Sequence, residues 1–381
     1  MKIINDIIAI RLLFFIMAFF VGLWTIRIPT IKDQINTDYF GIGLVMATFA
    51  IGSIIAMVFA NNIIKMSSCR TVLLFTSIIQ ALLWLPTPFI PSLEAFMIFS
   101  FIFGLCYGSF EISCNLYASN LEKREKKSMM SVFHAFWSLG VLFGSIATSF
   151  FLEWNISLLN NVLVYVIILL PINIFIVLRL EEDQIENTNN NKQSIFFIWP
   201  FIIFVLALIA MVNALTEGSV DSWGALYMRD FIKVDGFQIG LATVRFNIFM
   251  VIGRLSGDWI RDRIGVYNFL TILSLSSIIS LFILYTFDSI LSALCGFALL
   301  GIGTSGIVPI AYSLAGKAKG IDSGASIAIV SIAVYATFMG APATLGIVAN
   351  NYGVNSIFFP ILIILLFVLP IIFASKKHFK Q

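Results

Sequence analysis

Apolar residues along this chain neither alternate with polar ones nor mark a single helical stripe. They run in blocks of about twenty, separated by short polar breaks. A hydrocarbon core of about 30 Å is crossed by roughly twenty helical residues, so each block predicts a membrane-spanning helix. The blocks fall at about 7–28, 41–63, 71–90, 95–119, 129–151 and 157–179, then at about 196–223, 237–260, 266–286, 289–315, 323–349 and 354–374. Between the sixth and seventh lies a polar stretch from Glu181 to Ser194, with Glu181-Glu182-Asp183 and Asn189-Asn190-Asn191. The expected fold is an all-α membrane protein of twelve transmembrane helices in two six-helix bundles. The expected division is a first bundle over 1–180, a linker over 181–195 and a second bundle over 196–381. The first apolar run continues to about Ile28 and is followed by further spans, so it reads as a span and not as a cleavable signal.

Composition agrees with this picture: 60% of the 381 residues are hydrophobic and 11% are charged, against about a quarter in a soluble domain. A net charge of +3 gives no electrostatic case for a nucleic-acid partner. Where the cations sit is more informative. With the N-terminus inside, Lys65, Arg70, Lys123, Arg124, Lys126, Lys127, Arg261, Arg263, Lys317, Lys319, Lys376, Lys377 and Lys380 are all cytoplasmic. The outer loops then keep Lys32, Arg229 and Lys233, with Arg27 at a helix end. By the positive-inside rule both termini are expected in the cytoplasm of an inner-membrane protein. Cys69, Cys106, Cys114 and Cys295 are scattered, and the chain has two histidines, His134 and His378. That pattern predicts no metal site, no disulfide framework and no cofactor. One intramembrane histidine and no metal-ligand spacing also argue against an intramembrane enzyme.

Six spans, a polar connection and six more spans make a plan suited to alternating access, in which two bundles rock about a site near the midplane. Local motifs narrow it. The eighth span ends in Gly253-Arg254-Leu255-Ser256-Gly257-Asp258-Trp259-Ile260-Arg261-Asp262-Arg263-Ile264-Gly265. The fourth carries Gly104, Gly108, Glu111 and Asn115; the fifth reads Phe133-His134-Ala135-Phe136-Trp137-Ser138, followed by Gly140 and Gly144. The seventh holds Thr216-Glu217-Gly218, Asp221, Trp223 and Tyr227, and the eleventh Tyr335 with Gly340-Ala341-Pro342. In this order the five stretches resemble the major facilitator superfamily, specifically the YbjJ-like inner-membrane branch related to fucose permease. The resemblance covers essentially the whole chain. It implies a gating motif at Gly253, Arg254, Gly257, Asp258, Asp262, Arg263 and Gly265. The matching loop of the first half, Asn61 to Arg70, lacks the acid of that motif.

Charge inside hydrocarbon is costly, so intramembrane acids are candidates for function. The resemblance implies a proton-coupling role for Glu111; the reading from residues alone leaves a helix–helix hydrogen bond open. Asn115 shares its face, to orient it or to meet a solute hydroxyl. Glu217 and Asp221, also four apart, need a cation or a shared proton between them. Arg245 is the expected partner of Glu217 or Asp221, or of Glu111. Glu217 is read as the deeper, proton-coupling acid, whereas Asp221 is either a solute ligand or a solvated rim acid. Trp137 and Trp223 are candidates for stacking on a sugar-like ring or for interfacial anchoring, and Tyr335 joins them as a solute contact. Trp24 reads as an anchor, Arg11 as a snorkelling residue, and His134 as a helix-bonding residue or a relay. The end of the first span, Leu23 to Pro29, lacks the acid that fucose recognition calls for; Arg27 stands there instead and suits an anionic solute. The expected partners are a small solute, protons and the bilayer, with the protein acting as a monomer. Uptake by symport and efflux by antiport use the same parts, and a non-transporting sensor is the alternative from another class.

Overall fold

The computed structural model describes residues 5–126, 129–182, 200–315, 318 and 323–378. Among these residues thirteen α-helices run in order: α1 (Asp6–Gln34), α2 (Tyr39–Met66), α3 (Cys69–Leu83), α4 (Leu93–Glu125), α5 (Met130–Glu153), α6 (Leu158–Arg179), α7 (Phe201–Leu226), α8 (Leu241–Ile264), α9 (Val266–Thr286), α10 (Ile290–Ser305), α11 (Ile307–Ala315), α12 (Ser323–Tyr352) and α13 (Phe358–Ala374). No strand occurs among the described residues. Among the described residues twelve segments are long and apolar enough to cross a bilayer, α10 and α11 together making one of them. The expected twelve-helix fold is what the structure shows. Of the linker expected over 181–195, everything from 183 on lies outside the described residues.

Polar residues stop each apolar block and start the next helix. The side chains of Asn5, Asp38, Ser68, Ser92, Ser157 and Ser289 accept hydrogen bonds from backbone N–H groups that a first turn leaves unmet. For α5 the cap is remote: the Glu122 carboxylate accepts from the N–H groups of Met129 and Met130. The seventh span is longer than its apolar run suggests. After α7 the chain continues as a wider helical turn over Tyr227–Phe231, so the span reaches Phe231 instead of the expected 223.

The chain divides into two compact units, Met1–Thr188 with Asp235–Gly240, and Asn189–Val234 with Leu241–Gln381. In the first unit the most extensive helix pairs are α1 with α5 and α2 with α4. Glycine makes both possible. A Cβ on Gly104 would lie 2.1 Å from the Phe49 carbonyl oxygen, and one on Gly108 2.3 Å from that of Ser53. Gly140 and Gly144 stand equally close to the carbonyls of Phe15 and Phe19. Helices in a membrane have no hydrophobic drive to associate, and small residues four apart let backbones approach for dispersion contact instead. Arg124, at the end of α4, fastens the same unit at one end, donating to the buried Asp6 at 2.7 Å and to Glu181 at 2.9 Å. The Asp6 carboxylate raises the pKa of that guanidinium.

The second unit repeats the order of pairing: its first span with its fifth (α7 with α12) and its second with its fourth (α8 with α10). Gly301 meets the Phe246 carbonyl and Gly253 meets Ser305, again between paired helices. Ionic charge in this unit's α-helices is confined to α7 and α8, with Arg229 and Asp230 in the turn that extends α7; α9 to α13 contain no Asp, Glu, Lys, Arg or His.

Candidate functional site

The polar centre of the second unit is built on one face of α7. Asn213, Glu217 and Asp221 follow at intervals of four, so they stack along one side, about 6 Å apart in rise. Gly224 continues the same face, and Thr243 of α8 stands over it, its Oγ1 3.8 Å from where a Cβ would be. Arg254 of α8 meets the middle acid: its Nη2 is 3.5 Å from Glu217 Oε1, with both side chains roughly three-quarters covered. Asp221 interacts electrostatically with Glu217 and Arg254 and makes no hydrogen bond or ion pair with a described residue. Both amide atoms of Asn213 and the hydroxyl of Thr243 are buried without a hydrogen-bond partner.

This corrects two expectations. The cation beside Glu217 is Arg254, not Arg245. Nine residues are two and a half helical turns, so the two arginines point to opposite sides of α8; Arg245 is exposed and enters no described ion pair. Asp221 is also not at the edge of its span, because the helix continues ten residues past it to Phe231.

In the first unit Glu111 and Asn115 lie on α4 in the register of Gly104 and Gly108, one and two turns beyond the glycine seam with α2. Glu111 is half-buried. Asn115 donates its amide to the Glu111 backbone carbonyl at 3.0 Å, so this bond fixes the helix and not the carboxylate. Trp137 is half-buried and sits edge-on to Tyr107 at 6.4 Å. His134 packs against Phe14.

The remaining expected residues are less concentrated. Trp223 is fully buried, which removes its ring from stacking on a solute in this conformation. Tyr335 is half-buried on α12, but Thr337 and Phe338 are the residues that face α7 there, across a shallow cleft with Gly218 and Ser222. Of the gating motif, Gly253 packs on Ser305, Gly257 makes ordinary contact with Phe269, and Gly265 takes a positive φ at the start of α9. Asp262 pairs with its neighbour Arg261 at 3.0 Å, and Arg263 lies over the Trp259 ring. The Asp258 side chain lies outside what is described. From its place in the motif, Arg254 reaches Glu217 of α7.

Arg27 is 3% exposed. Its Nε donates to Asn161 at 3.0 Å and its Nη2 to the Ile156 carbonyl at 2.7 Å, tying α1 to the turn before α6. This is a structural strut and not a ligand-ready cation, which corrects its assignment as a solute contact. Arg27→Ala should lower stability by roughly 3 kcal/mol, since two charge-assisted bonds go and their buried acceptors stay. A thermal melt with and without ligand checks this: the melting temperature falls while ligand affinity holds.

Sequence reasoning passed over Asn213 and Thr243. Asn213 had a signal, its four-residue offset from Glu217 on a face otherwise apolar. Thr243 had none, because its place depends on how α8 packs.

Residues 10–315 match the family model described as Major Facilitator Superfamily. An uncharacterised MFS-type transporter of Yersinia pestis is 27% identical over 366 residues, covering 95% of this chain and 94% of that protein. Among solved structures, the nucleoside transporter NupG superposes with a TM-score of 0.75 at 14% identity, over 99% of this chain and 100% of that one. A bacterial homologue of the human lysosomal transporter Spinster gives 0.71 at 13% identity, over 98% and 96%.

Proposed function

The chain belongs to the Major Facilitator Superfamily and is a multi-pass membrane transporter of the secondary kind, and from that premise we propose that it couples movement of a small polar solute to protons, with Glu111 as the carrier. The observation that supports this reading is an acid inside a membrane span of each unit: Glu111 on α4 and Glu217 on α7, both half-buried. A carboxyl held in hydrocarbon has to be paired or protonated, and moving between those two conditions is what coupling requires. Glu217, 3.5 Å from Arg254, is the second proton-coupling acid of this reading, its charge balanced by that guanidinium when it is ionised. Trp137 and Asn115 lie on α5 and α4 in the same unit as Glu111 and supply an aromatic face and an amide for a polar solute. The proposal places the protein in the inner membrane as a monomer with both termini cytoplasmic, on the distribution of Lys and Arg, and in the YbjJ-like branch related to fucose permease, on its motifs.

Screening purified protein for solutes that raise its melting temperature identifies the ligand, because a ligand that binds only the folded state stabilises it. Uptake of that solute into proteoliposomes under an imposed pH gradient then tests coupling. Accumulation should follow the sign of the gradient, which separates symport from antiport, and collapse with a protonophore. Flux that ignores the gradient would refute proton coupling.

A further inference from the structure

We propose that the end of the second unit where α8 stops, α9 starts and α13 stops binds an anionic glycerophospholipid. Arg263, Lys376 and Lys377 hold its phosphate, and its acyl chains lie along Leu255, Trp259 and Phe373. This is independent of the proton reading, which rests on acids inside the spans.

Successive spans alternate in direction, so the end of the eighth, the start of the ninth and the end of the twelfth share one membrane face. The positive-inside reading makes that face cytoplasmic. On α8, Leu255, Trp259 and Arg263 follow at intervals of four and form one column. Leu255 is 75% and Trp259 59% exposed, and the Arg263 guanidinium carbon lies 3.8 Å from the centre of the Trp259 ring. A second column runs from Phe373, 44% exposed, to Lys376 one turn on. Tyr267, in the first turn of α9, touches both of its members: its ring centre is 6.4 Å from that of Phe373 and 4.7 Å from Lys376 Nζ. Four residues separate Tyr267 from Arg263, at most about 14 Å of chain, so the columns stand side by side. Each column passes from apolar or aromatic residues within or next to a span to a cation beyond it, the order of chain and phosphate in a lipid.

Arg263, Lys376 and Lys377 make no ion pair with a described residue. The acid described among them, Asp262, is paired with Arg261 at 3.0 Å. Gly265 gives the first turn of α9 no side-chain cap, so unmet N–H groups add to the positive excess. Lys376 is thus set against the positive end of a helix, the wrong end for a cation, and an anion makes that placement favourable. Ser375, between Phe373 and Lys376, is 1% exposed and its hydroxyl has no hydrogen-bond partner, which leaves one more donor at this end. A free phosphate would use these donors alone. A diacyl lipid also covers the exposed apolar columns, and basic clusters beside a span select the anionic kind.

The test titrates the full-length protein in dodecyl maltoside with short-chain phosphatidylglycerol, phosphatidylcholine of the same chains, or inorganic phosphate. Phosphatidylglycerol should raise the melting temperature and saturate, and the other two should give no comparable shift. Arg263→Gln and Lys376→Gln should each weaken the apparent affinity about fivefold. Lys32→Gln, at the end of α1 on the opposite membrane face, should leave it unmoved. Native mass spectrometry of the wild-type protein released from nanodiscs of the two lipids needs no variant: phosphatidylglycerol should be retained in preference. Equal shifts or equal retention for the two lipids would overturn the proposal. So would a shift reproduced by inorganic phosphate, which marks a free-anion site, or an affinity that survives both arginine and lysine changes. Because the readouts are binding and stability, either result leaves the proton-coupled reading of Glu111 to its own test.

Discussion

Glu111→Gln should erase accumulation while leaving exchange intact. The amide keeps the size and hydrogen-bonding shape of the acid but cannot load or release a proton, so only the coupling step is lost. A gradient of about one pH unit can sustain at most about a tenfold solute ratio for one coupled proton, since a tenfold ratio and about 1.4 kcal/mol are the same quantity. In proteoliposomes the wild-type protein should approach that ratio and the variant should settle at about one. Solute counterflow, which needs no net proton movement, should continue in both. A variant that still accumulates solute to the wild-type ratio removes Glu111 from the mechanism.

The second large effect concerns stability. Gly104→Val should cost about 3 kcal/mol or more, the upper range for overpacking, because the new atoms meet the Phe49 backbone carbonyl and not a side chain that can rotate away. Gly144→Val should do the same through Phe19. Gly257→Ala is the control: its Cβ would sit 3.5 Å from the Phe269 ring, an ordinary contact, so the change should be near neutral. Monodisperse yield and melting temperature separate these outcomes. Were Gly104→Val as stable as the control, backbone contact between α2 and α4 would not hold the first unit together.

Span number and order were legible because a bilayer imposes a length on every apolar block, and the blocks here are cleanly separated. The seventh span was read short because Arg229 and Asp230 look like loop residues, whereas in the structure they pair with each other at 2.7 Å within a helical turn. The break at Gly306 between α10 and α11 was hidden within one uninterrupted apolar block. At the site, the acids were visible as charges in apolar runs, yet their partner was not. Arg254 follows a glycine and opens a familiar loop pattern, which drew it into the gate, while Arg245 is embedded in apolar sequence and drew the pairing. Helical phase would have corrected this, since Arg254 shares a face with Asn247 and Thr243 and Arg245 does not. Arg27 was misread for a different reason: a cation near a span end looks available until Asn161 and the Ile156 carbonyl, more than a hundred residues away, close on it.

Five of the second unit's helices are electrically silent, and this has a consequence for how the protein answers voltage. A transmembrane potential does work only on charge that moves, at about 2.3 kcal/mol per elementary charge per 100 mV. Whatever displacement α9 to α13 undergo, the field has no formal side-chain charge there to push. Any current recorded from rearrangement of this half therefore originates outside α9 to α13, in α7, α8, the turn that extends α7 or the connecting segments, which makes electrical recording blind to five helices of the bundle.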